Sequence, residues 1–389
     1  MVSAIIFSLS VISIVAMIIA PTTDNSPLRI GLYLFGFASV FSMWFISVRS
    51  STRTVSRAAL PSALLALLYF VWALDSPSLY NFKPGILIAM SMAYYLVVRS
   101  QSLTVFNEWL VILIVLIAEC VLILFLYQTG GVGSIHKNHI GVVVLSLALV
   151  TSMGLIKIVG MPTIVVAGSS AVVTFVGILV DHRTVAVCGF AIFPVYVVLR
   201  WIELSRFALM SVFVSLVLFS IGIVVIMNPE LGYIQSVSAD VMDISGRRIN
   251  SGRERIWPLV VRAIGEKPWT GWGASAEVPD YSYLFDWTAH NQFLQIGYQI
   301  GIPGMILFAW ILWGVWKDLT LVHTPSPILA LGRLGYIMLI VILSVDVALN
   351  AYIASTSLAV WLPIGIAASL ASYQKSQMED SNAVQCYGL

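Results

Sequence analysis

Long apolar runs without a charged residue set the strongest limit on how this chain can fold. Residues 3–20 read SAIIFSLSVISIVAMIIA, and residues 207–227 read FALMSVFVSLVLFSIGIVVIM. A helix of about 20 such residues crosses roughly 30 Å of hydrocarbon, whereas the strands of membrane β-barrels alternate and span about ten residues. Charged residues make up 10% of the chain and the mean hydropathy is +0.96, which indicates a helical membrane protein and excludes a soluble domain.

Hydropathy predicts an all-α polytopic protein with about 12 transmembrane helices and one large folded loop. The predicted spans are 3–20, 30–47, 58–74, 84–98, 109–127, 139–154, 163–180, 184–199, 207–227, 291–316, 329–350 and 357–373. The resulting segments are helices 1–9 within 1–227, the loop 228–290, helices 10–12 within 291–373 and a cytoplasmic tail at 374–389. With the N-terminus inside, ten basic residues, Arg99 and Arg333 among them, lie in cytoplasmic segments and four in short outer loops, as the positive-inside rule requires. The large loop then lies outside.

The outer loop gathers positive charge that membrane topology does not explain. Six of the 20 Lys and Arg residues lie between residues 247 and 267. Crowded like charges repel unless an anion joins them, and a guanidinium group binds phosphate through two parallel hydrogen bonds. We therefore predict a diphosphate ligand at the outer membrane surface, bound by Arg183, Arg247, Arg248, Arg253 and Arg255. The alternative is that these arginines bind lipid phosphates or only hold the topology.

The same loop carries the signal of an amphipathic helix. Ser251 and Glu254 have the S-x-x-E spacing of a capping box, which predicts a helix that begins at Ser251. Its apolar face comprises Ile256, Leu259, Val260 and Ala263. Pro258 removes one backbone hydrogen bond and should kink or restart this helix, which we expect to lie at the membrane–water interface.

His290 stands where the chain re-enters the bilayer, directly before Asn291. An imidazole beside a cationic cluster is suited to proton transfer, although a lone interfacial histidine can equally be a structural hydrogen-bonder. A second polar cluster begins the sixth span and comprises His136, Lys137, Asn138 and His139. Its two histidines could be metal ligands, but no carboxylate–histidine set completes a site, so we predict no metal and no other cofactor.

The remaining polar residues say less about the function of the protein. Glu119 and Asp346 lie inside predicted spans, where a carboxylate is costly, so each is either a proton relay or the partner of an arginine. The three cysteines have neither metal-ligand nor redox spacing, and no structural disulfide is predicted. A formal net charge of +2 gives no reason to expect nucleic acid as a partner.

Five short motifs follow one another in a fixed order within about residues 130–316. They are HKN at a span start, DHR between two spans, SGRxxxW opening the outer loop, PWTGWG within it, and AHNxxLQxxxxxGxxG at re-entry. In order and in placement they resemble the O-antigen polymerase and O-antigen ligase family of bacteria, which includes exopolysaccharide polymerases. One departure is that Asp181 and His182 precede Arg183, where the family often has a small residue.

The resemblance implies a GT-C-like, inverting glycosyltransferase of the bacterial inner membrane that acts at the periplasmic face without a metal. The donor is then an undecaprenyl-diphosphate-linked oligosaccharide, the acceptor a glycan or lipid A–core, and chain-length regulator and flippase proteins are further partners. Arg183, Arg253 and His290 match the family's two arginines and its histidine, which implies diphosphate stabilisation and proton abstraction. Residues assigned to binding of the diphosphate or glycan are Arg255, Arg247, Arg248, Lys137, Asn138, His136, Asn291, Trp257 and Trp272.

Three alternatives stay open. A polymerase moves the growing glycan onto a new lipid-linked repeat unit, whereas a ligase moves it onto lipid A–core or another terminal acceptor; the SGR opening of the loop favours a polymerase. A transporter or lipid-linked sugar flippase predicts charges along the spans and repeat symmetry, while here the charges concentrate in one loop. A non-catalytic sugar- or lipid-binding protein would tolerate the loss of His290.

Overall fold

The computed structural model describes residues 58–75, 79–100, 137–179, 183–201, 206–226, 253–274, 276, 289–322, 326–345 and 354–387. This part of the chain is helical, with short turns between the helices. Its helices are α1 (Ala59–Asp75), α2 (Leu79–Ser100), α3 (Lys137–Val159), α4 (Pro162–Leu179), α5 (Arg183–Trp201), α6 (Arg206–Ile226), α7 (Arg253–Glu266), α8 (Gln292–Ile300), α9 (Ile302–Leu319), α10 (Pro327–Val345) and α11 (Ala354–Tyr387).

The helices coincide with the predicted spans wherever the two can be compared. The predicted spans 3–20, 30–47 and 109–127 lie outside the described residues. The predicted span 291–316 is divided into α8 and α9, because Gly301 adopts a φ of +84° that ends one helix before the next begins. The last helix continues to Tyr387, well into the segment predicted as a tail.

Four helices of the described part are long and apolar enough to cross a membrane. They are Gly141–Val159 in α3, Pro162–Leu179 in α4, Ile302–Leu319 in α9 and Pro327–Ser344 in α10. Shorter apolar helices are Ala59–Val71, Pro84–Ser100 and Thr184–Arg200. A helix satisfies its own backbone groups in hydrocarbon, so the protein is a multi-pass helical membrane protein.

Burial separates the central helices from the peripheral ones. The apolar windows of α3 and α10 are 72% and 78% buried, whereas that of α4 is only 28% buried. The exposed face of α4 carries large apolar side chains such as Phe175 and Ile178, which suits contact with lipid. On its other face α4 packs tightly against α5, where the hydroxyl of Ser170 donates to the carbonyl of Gly189 at 2.6 Å.

A buried ion pair joins α2 to the end of α9. Arg99 Nε lies 2.9 Å from Asp318 Oδ2, Arg99 Nη2 donates to Asp318 Oδ1 at 3.2 Å, and the hydroxyl of Tyr95 donates to Asp318 Oδ2 at 2.8 Å. Arg99 and Asp318 are 6% and 3% exposed. The topology prediction treated Arg99 as a cytoplasmic loop charge, whereas the side chain is enclosed in the helix bundle. Arg99 therefore holds two helices together as well as contributing to the charge count.

Arg333, also counted as a loop charge, caps the end of α9 from within α10. Its Nε donates to the carbonyl of Leu319 at 3.2 Å, and its Nη2 donates to the carbonyl of Val322 at 2.8 Å. The last carbonyls of a helix have no partner inside that helix, so a neighbouring cation that binds them stabilises the helix end. The C-terminal end of α9 is thus held by α2 through Asp318 and by α10 through Arg333.

Candidate active site

The site is built where α7 lies against α8. The buried face of α7 comprises Ile256, Trp257, Val260 and Ala263, and these residues pack with Ala289, Leu294 and Tyr298. Three members of the predicted apolar face are therefore buried as expected. The fourth, Leu259, is 36% exposed, and Trp257 takes its place in the contact. The helix continues through Pro258, and the predicted start at Ser251 lies outside the described residues.

A hydrogen bond between Trp257 and Ala289 ties the start of α7 to the segment that carries His290. The indole Nε1 of Trp257 donates to the carbonyl of Ala289 at 2.8 Å, and both residues are almost completely buried. Arg253 is the first residue of α7 and lies one turn before Trp257, on the same side of the helix. Both Arg253 and His290 are half-buried, and the Nε of Arg253 and the Nδ1 of His290 are enclosed by the protein.

His290 has an uncommon backbone conformation. Its φ of +46° lies in the left-handed region, which a non-glycine residue enters at a cost of about 1–2 kcal/mol. Such strain persists only where the surroundings enforce it, and it concentrates at functional sites. The glycines and the proline that follow His290 in the sequence indicate an irregular backbone in this segment, and His290 itself adopts the left-handed conformation.

Asn291, predicted to bind substrate, performs two structural tasks. Its Oδ1 accepts a hydrogen bond from the backbone N–H of Leu294 at 3.0 Å, which makes it the N-cap of α8. Its Nδ2 donates to the carbonyl of Ser344 in α10 at 2.9 Å. With Asn291 only 1% exposed, its side chain anchors α8 to the transmembrane bundle in this conformation.

The PWTGWG motif docks on the C-terminal end of α8. The N–H of Trp272 donates to the carbonyl of Tyr298 at 2.9 Å, and the N–H of Gly273 donates to the carbonyl of Gln299 at 3.0 Å. In return, the N–H of Ile302 donates to the carbonyl of Pro268 at 2.7 Å. The motif thereby satisfies the last carbonyls of α8, which the helix itself leaves without partners.

This docking requires glycine at two positions. Gly271 has a φ of +66°, and a Cβ there would lie 2.5 Å from the carbonyl carbon of Gln299. A Cβ on Gly301 would lie 2.6 Å from the carbonyl oxygen of Pro268. Real Cβ atoms do not come so close to backbone atoms, so any larger residue would push the two segments apart.

The two tryptophans predicted to contact glycan are both used in packing. Trp257 is 1% exposed, so its ring faces are covered in this conformation. Trp272 is 39% exposed, but its Nε1 donates to the carbonyl of Ala263 at 2.8 Å and its ring stacks on Tyr298 with centroids 6.3 Å apart. Lys267 lies over the Trp272 ring at 4.0 Å. Both residues therefore support the junction of α7 and α8.

The other predicted site residues are spread along the chain. Arg183 is the first residue of α5, Arg255 lies in the first turn of α7, and Lys137 and Asn138 begin α3. Those outside the described residues are Arg247, Arg248, His136, Asp181, His182, Glu119 and Asp346. Within the described ranges, no group of three His, Cys, Asp or Glu side chains is arranged to hold a metal ion.

Sequence reasoning missed the buried glutamines of α8, of which Gln295 bonds to the residue before His290. Gln295 is 3% exposed, and its Oε1 accepts a hydrogen bond from the N–H of Ala289 at 2.8 Å. One turn further, the Oε1 of Gln299 accepts from the hydroxyl of Tyr69 in α1 at 2.9 Å. The available signal was the row of glutamines at positions 292, 295 and 299 in a segment predicted to enter the membrane, where each amide needs a partner.

The fold defines a class of protein: a multi-pass helical membrane protein in which α7 packs against α8, the first part of a helix that is broken at Gly301. Residues 168–309 match the sequence model of a family described as O-antigen ligase. The match confirms the resemblance to the O-antigen polymerase and ligase family over this segment of the chain. The matched segment runs from α4 into α9 and contains Arg183, Arg253 and His290. No curated protein sequence matches the chain significantly.

Proposed function

We propose that this protein is a membrane glycosyltransferase that polymerises glycan repeat units carried on undecaprenyl diphosphate. The proposed reaction is metal-independent and inverting, and it takes place at the periplasmic face of a bacterial inner membrane. The observation that carries the proposal is the 2.8 Å hydrogen bond from Trp257 to Ala289, because it holds the helix of Arg253 against the residue preceding His290. A phosphate-binding group and a proton acceptor are thereby carried on adjoining segments.

In the proposed reaction, a hydroxyl oxygen of the acceptor glycan attacks the anomeric carbon from the face opposite the diphosphate. A new C–O bond forms while the bond to the diphosphate breaks, and its electron pair leaves with the diphosphate. Arg253 and Arg183 stabilise the charge that develops on this leaving group. Arg253 is in the first turn of α7, where the positive end of the helix dipole adds to the attraction for an anion.

His290 is proposed to accept the proton of the attacking hydroxyl. In the proposed site, guanidinium groups close to His290 would disfavour the imidazolium form and leave a neutral ring able to accept a proton. Since Nδ1 is buried, the proposal assigns the transfer to Nε2. Arg255, Lys137 and Asn138 are proposed as further contacts of the donor, and the roles of Arg247, Arg248 and His136 stay predictions.

A ligase is the second candidate, because the description of the matching family names that activity. A ligase would use the same donor, the same arginines and the same base, and would differ only in its acceptor. The acceptor must therefore be identified by experiment.

The test uses purified protein in lipid nanodiscs with a lipid-linked glycan donor. Polymer formation from the donor alone supports a polymerase, and transfer only when lipid A–core is added supports a ligase. Neither product, together with movement of the donor across vesicle membranes, would replace the proposal with a transporter.

Two variants test the assignment of His290. General-base catalysis is typically worth about 10²–10⁴-fold, so His290→Ala and His290→Gln should each lose turnover on that scale while still binding donor. His323→Gln is the matched control, because the sequence places His323 on the opposite side of the membrane. Near-normal turnover in His290→Gln would show that His290 only positions the substrate or the helix.

A further inference from the structure

We infer that Gln295 and Trp257 are positioning residues that direct the side chain of His290 by holding Ala289 from both sides. The inference deepens the proposed function and rests on it, because the direction of His290 matters for turnover only if His290 takes the proton. Neither residue needs to touch the substrate.

Both backbone hydrogen-bonding groups of Ala289 are held by side chains. Its N–H donates to Oε1 of Gln295, and its carbonyl accepts from Nε1 of Trp257, each at 2.8 Å. Ala289, Gln295 and Trp257 are 0%, 3% and 1% exposed, so water does not compete for these bonds. The residue directly before His290 is thus fixed to α7 and to α8 at once. We call these two hydrogen bonds to Ala289 the clamp.

The residue directly after His290 is fixed as well. Asn291 bonds through its side chain to the N–H of Leu294 and to the carbonyl of Ser344. His290 lies between two anchored residues and adopts a φ of +46°. Because the backbone conformation sets the direction of the Cα–Cβ bond, the anchors determine where the imidazole begins. If the backbone of His290 relaxed out of the left-handed conformation, the imidazole ring would turn away from its present direction.

The side chain of Gln295 bonds to a residue further back along the chain than capping of α8 requires. In a capping box, the third residue of the helix bonds back to the N-cap residue. Here the fourth residue of α8 bonds to Ala289, which stands two residues before the N-cap Asn291. The cap is already completed by Asn291 itself. The bond from Gln295 therefore acts on the segment containing His290 rather than on the start of the helix.

The test removes each bond without removing the packing around it. Gln295→Met deletes the acceptor, and Trp257→Phe deletes the donor but keeps an aromatic ring. Gln299→Met and Tyr69→Phe are matched controls, since they remove the two partners of one buried hydrogen bond located a turn further along α8. Each protein is measured for donor turnover and for the NMR signals of histidine labelled with ¹³C and ¹⁵N, with the His290 signal assigned through His290→Ala.

We expect Gln295→Met and Trp257→Phe each to lower kcat by roughly 10- to 100-fold, because a catalytic group misplaced by about 1 Å can cost that much. KM for the donor should stay within about threefold of the unmodified protein, and the His290 signal should shift or broaden. The controls should keep both kcat and the His290 signal. The combined variant Gln295→Met/His290→Ala should have the same kcat as His290→Ala alone.

The outcomes separate this inference from the proposed function. If His290→Ala keeps its turnover, the role of His290 as base is wrong, while an altered His290 signal in Gln295→Met would still show the clamp. If His290→Ala is inactive but Gln295→Met and Trp257→Phe keep kcat and the His290 signal, the clamp is wrong and the base stands. Equal losses in Gln295→Met and Gln299→Met would also overturn the clamp. Should Gln295→Met fail to accumulate in membranes, Trp257→Phe carries the same test.

Discussion

Replacing Asp318 with leucine should destabilise the protein by about 3–5 kcal/mol, and replacing Arg99 as well should recover most of that loss. The carboxylate of Asp318 receives three contacts at 2.8–3.2 Å, from both Arg99 and Tyr95. Asp318→Leu leaves the guanidinium of Arg99, a residue that is 6% exposed, without its counter-charge inside the bundle. In Asp318→Leu/Arg99→Met, apolar side chains fill the space and no buried charge is left over.

The assay is unfolding of the purified protein in mixed micelles, followed by circular dichroism. The exposed pair of Lys375 and Glu379, 3.5 Å apart and one turn apart on α11, gives the control. Glu379→Leu should change stability by less than about 0.5 kcal/mol, because solvated pairs contribute little. A double variant as unstable as Asp318→Leu would refute the reasoning, since the loss could not then come from an unpaired buried charge.

Four further predictions follow from the site. Arg253→Lys should remove most turnover at normal protein levels, because lysine lacks the planar fork that binds two phosphate oxygens; a near-normal Arg253→Lys with an inactive Arg255→Lys would move the role to Arg255. Turnover should survive EDTA, and loss with recovery on adding a divalent metal would contradict the two-arginine mechanism. Gly301→Ala should lower the melting temperature and the turnover together, because its Cβ would lie 2.6 Å from a backbone oxygen; an unchanged melting temperature would contradict the close docking. Cysteines introduced at positions 240 and 280 should react with an impermeant reagent from the periplasmic side. Labelling only after permeabilisation would show that the loop 228–290 lies on the cytoplasmic side.

The helices were predictable because their signal is local. A charge-free run such as residues 207–227 needs no knowledge of its neighbours to be recognised as a membrane helix, and α6 (Arg206–Ile226) follows it closely. The break at Gly301 was less visible, since glycine and proline are tolerated within membrane helices when neighbours satisfy the backbone. Here the carbonyl of Pro268, a residue that follows α7, accepts a hydrogen bond from the N–H of Ile302, and no window of sequence around Gly301 contains Pro268.

The sequence draws attention to residue types at the candidate site but does not show the contacts that these residues make. Arg253 and His290 stand out in sequence because charge and imidazole are scarce in such a chain. Trp257 and Asn291 also stood out, but the sequence could not show that packing uses them. Their partners, the carbonyls of Ala289 and Ser344, are backbone atoms that leave no trace in composition. A side chain that bonds to backbone therefore gives the same sequence signal as a side chain that binds a ligand.

The buried polar contacts that join α1 and α2 to α8 and α9 have a consequence for biogenesis. Arg99 and Asp318 are 219 residues apart, Tyr95 and Asp318 are 223 apart, and Tyr69 and Gln299 are 230 apart. A ribosome therefore delivers the early helices long before their polar partners exist. A lone guanidinium group is costly in hydrocarbon, so we expect Arg99 to stay near the headgroups until α9 has been inserted. The ion pair of Arg99 and Asp318 can form only after that insertion, which makes the joining of α2 to α9 a late event in synthesis.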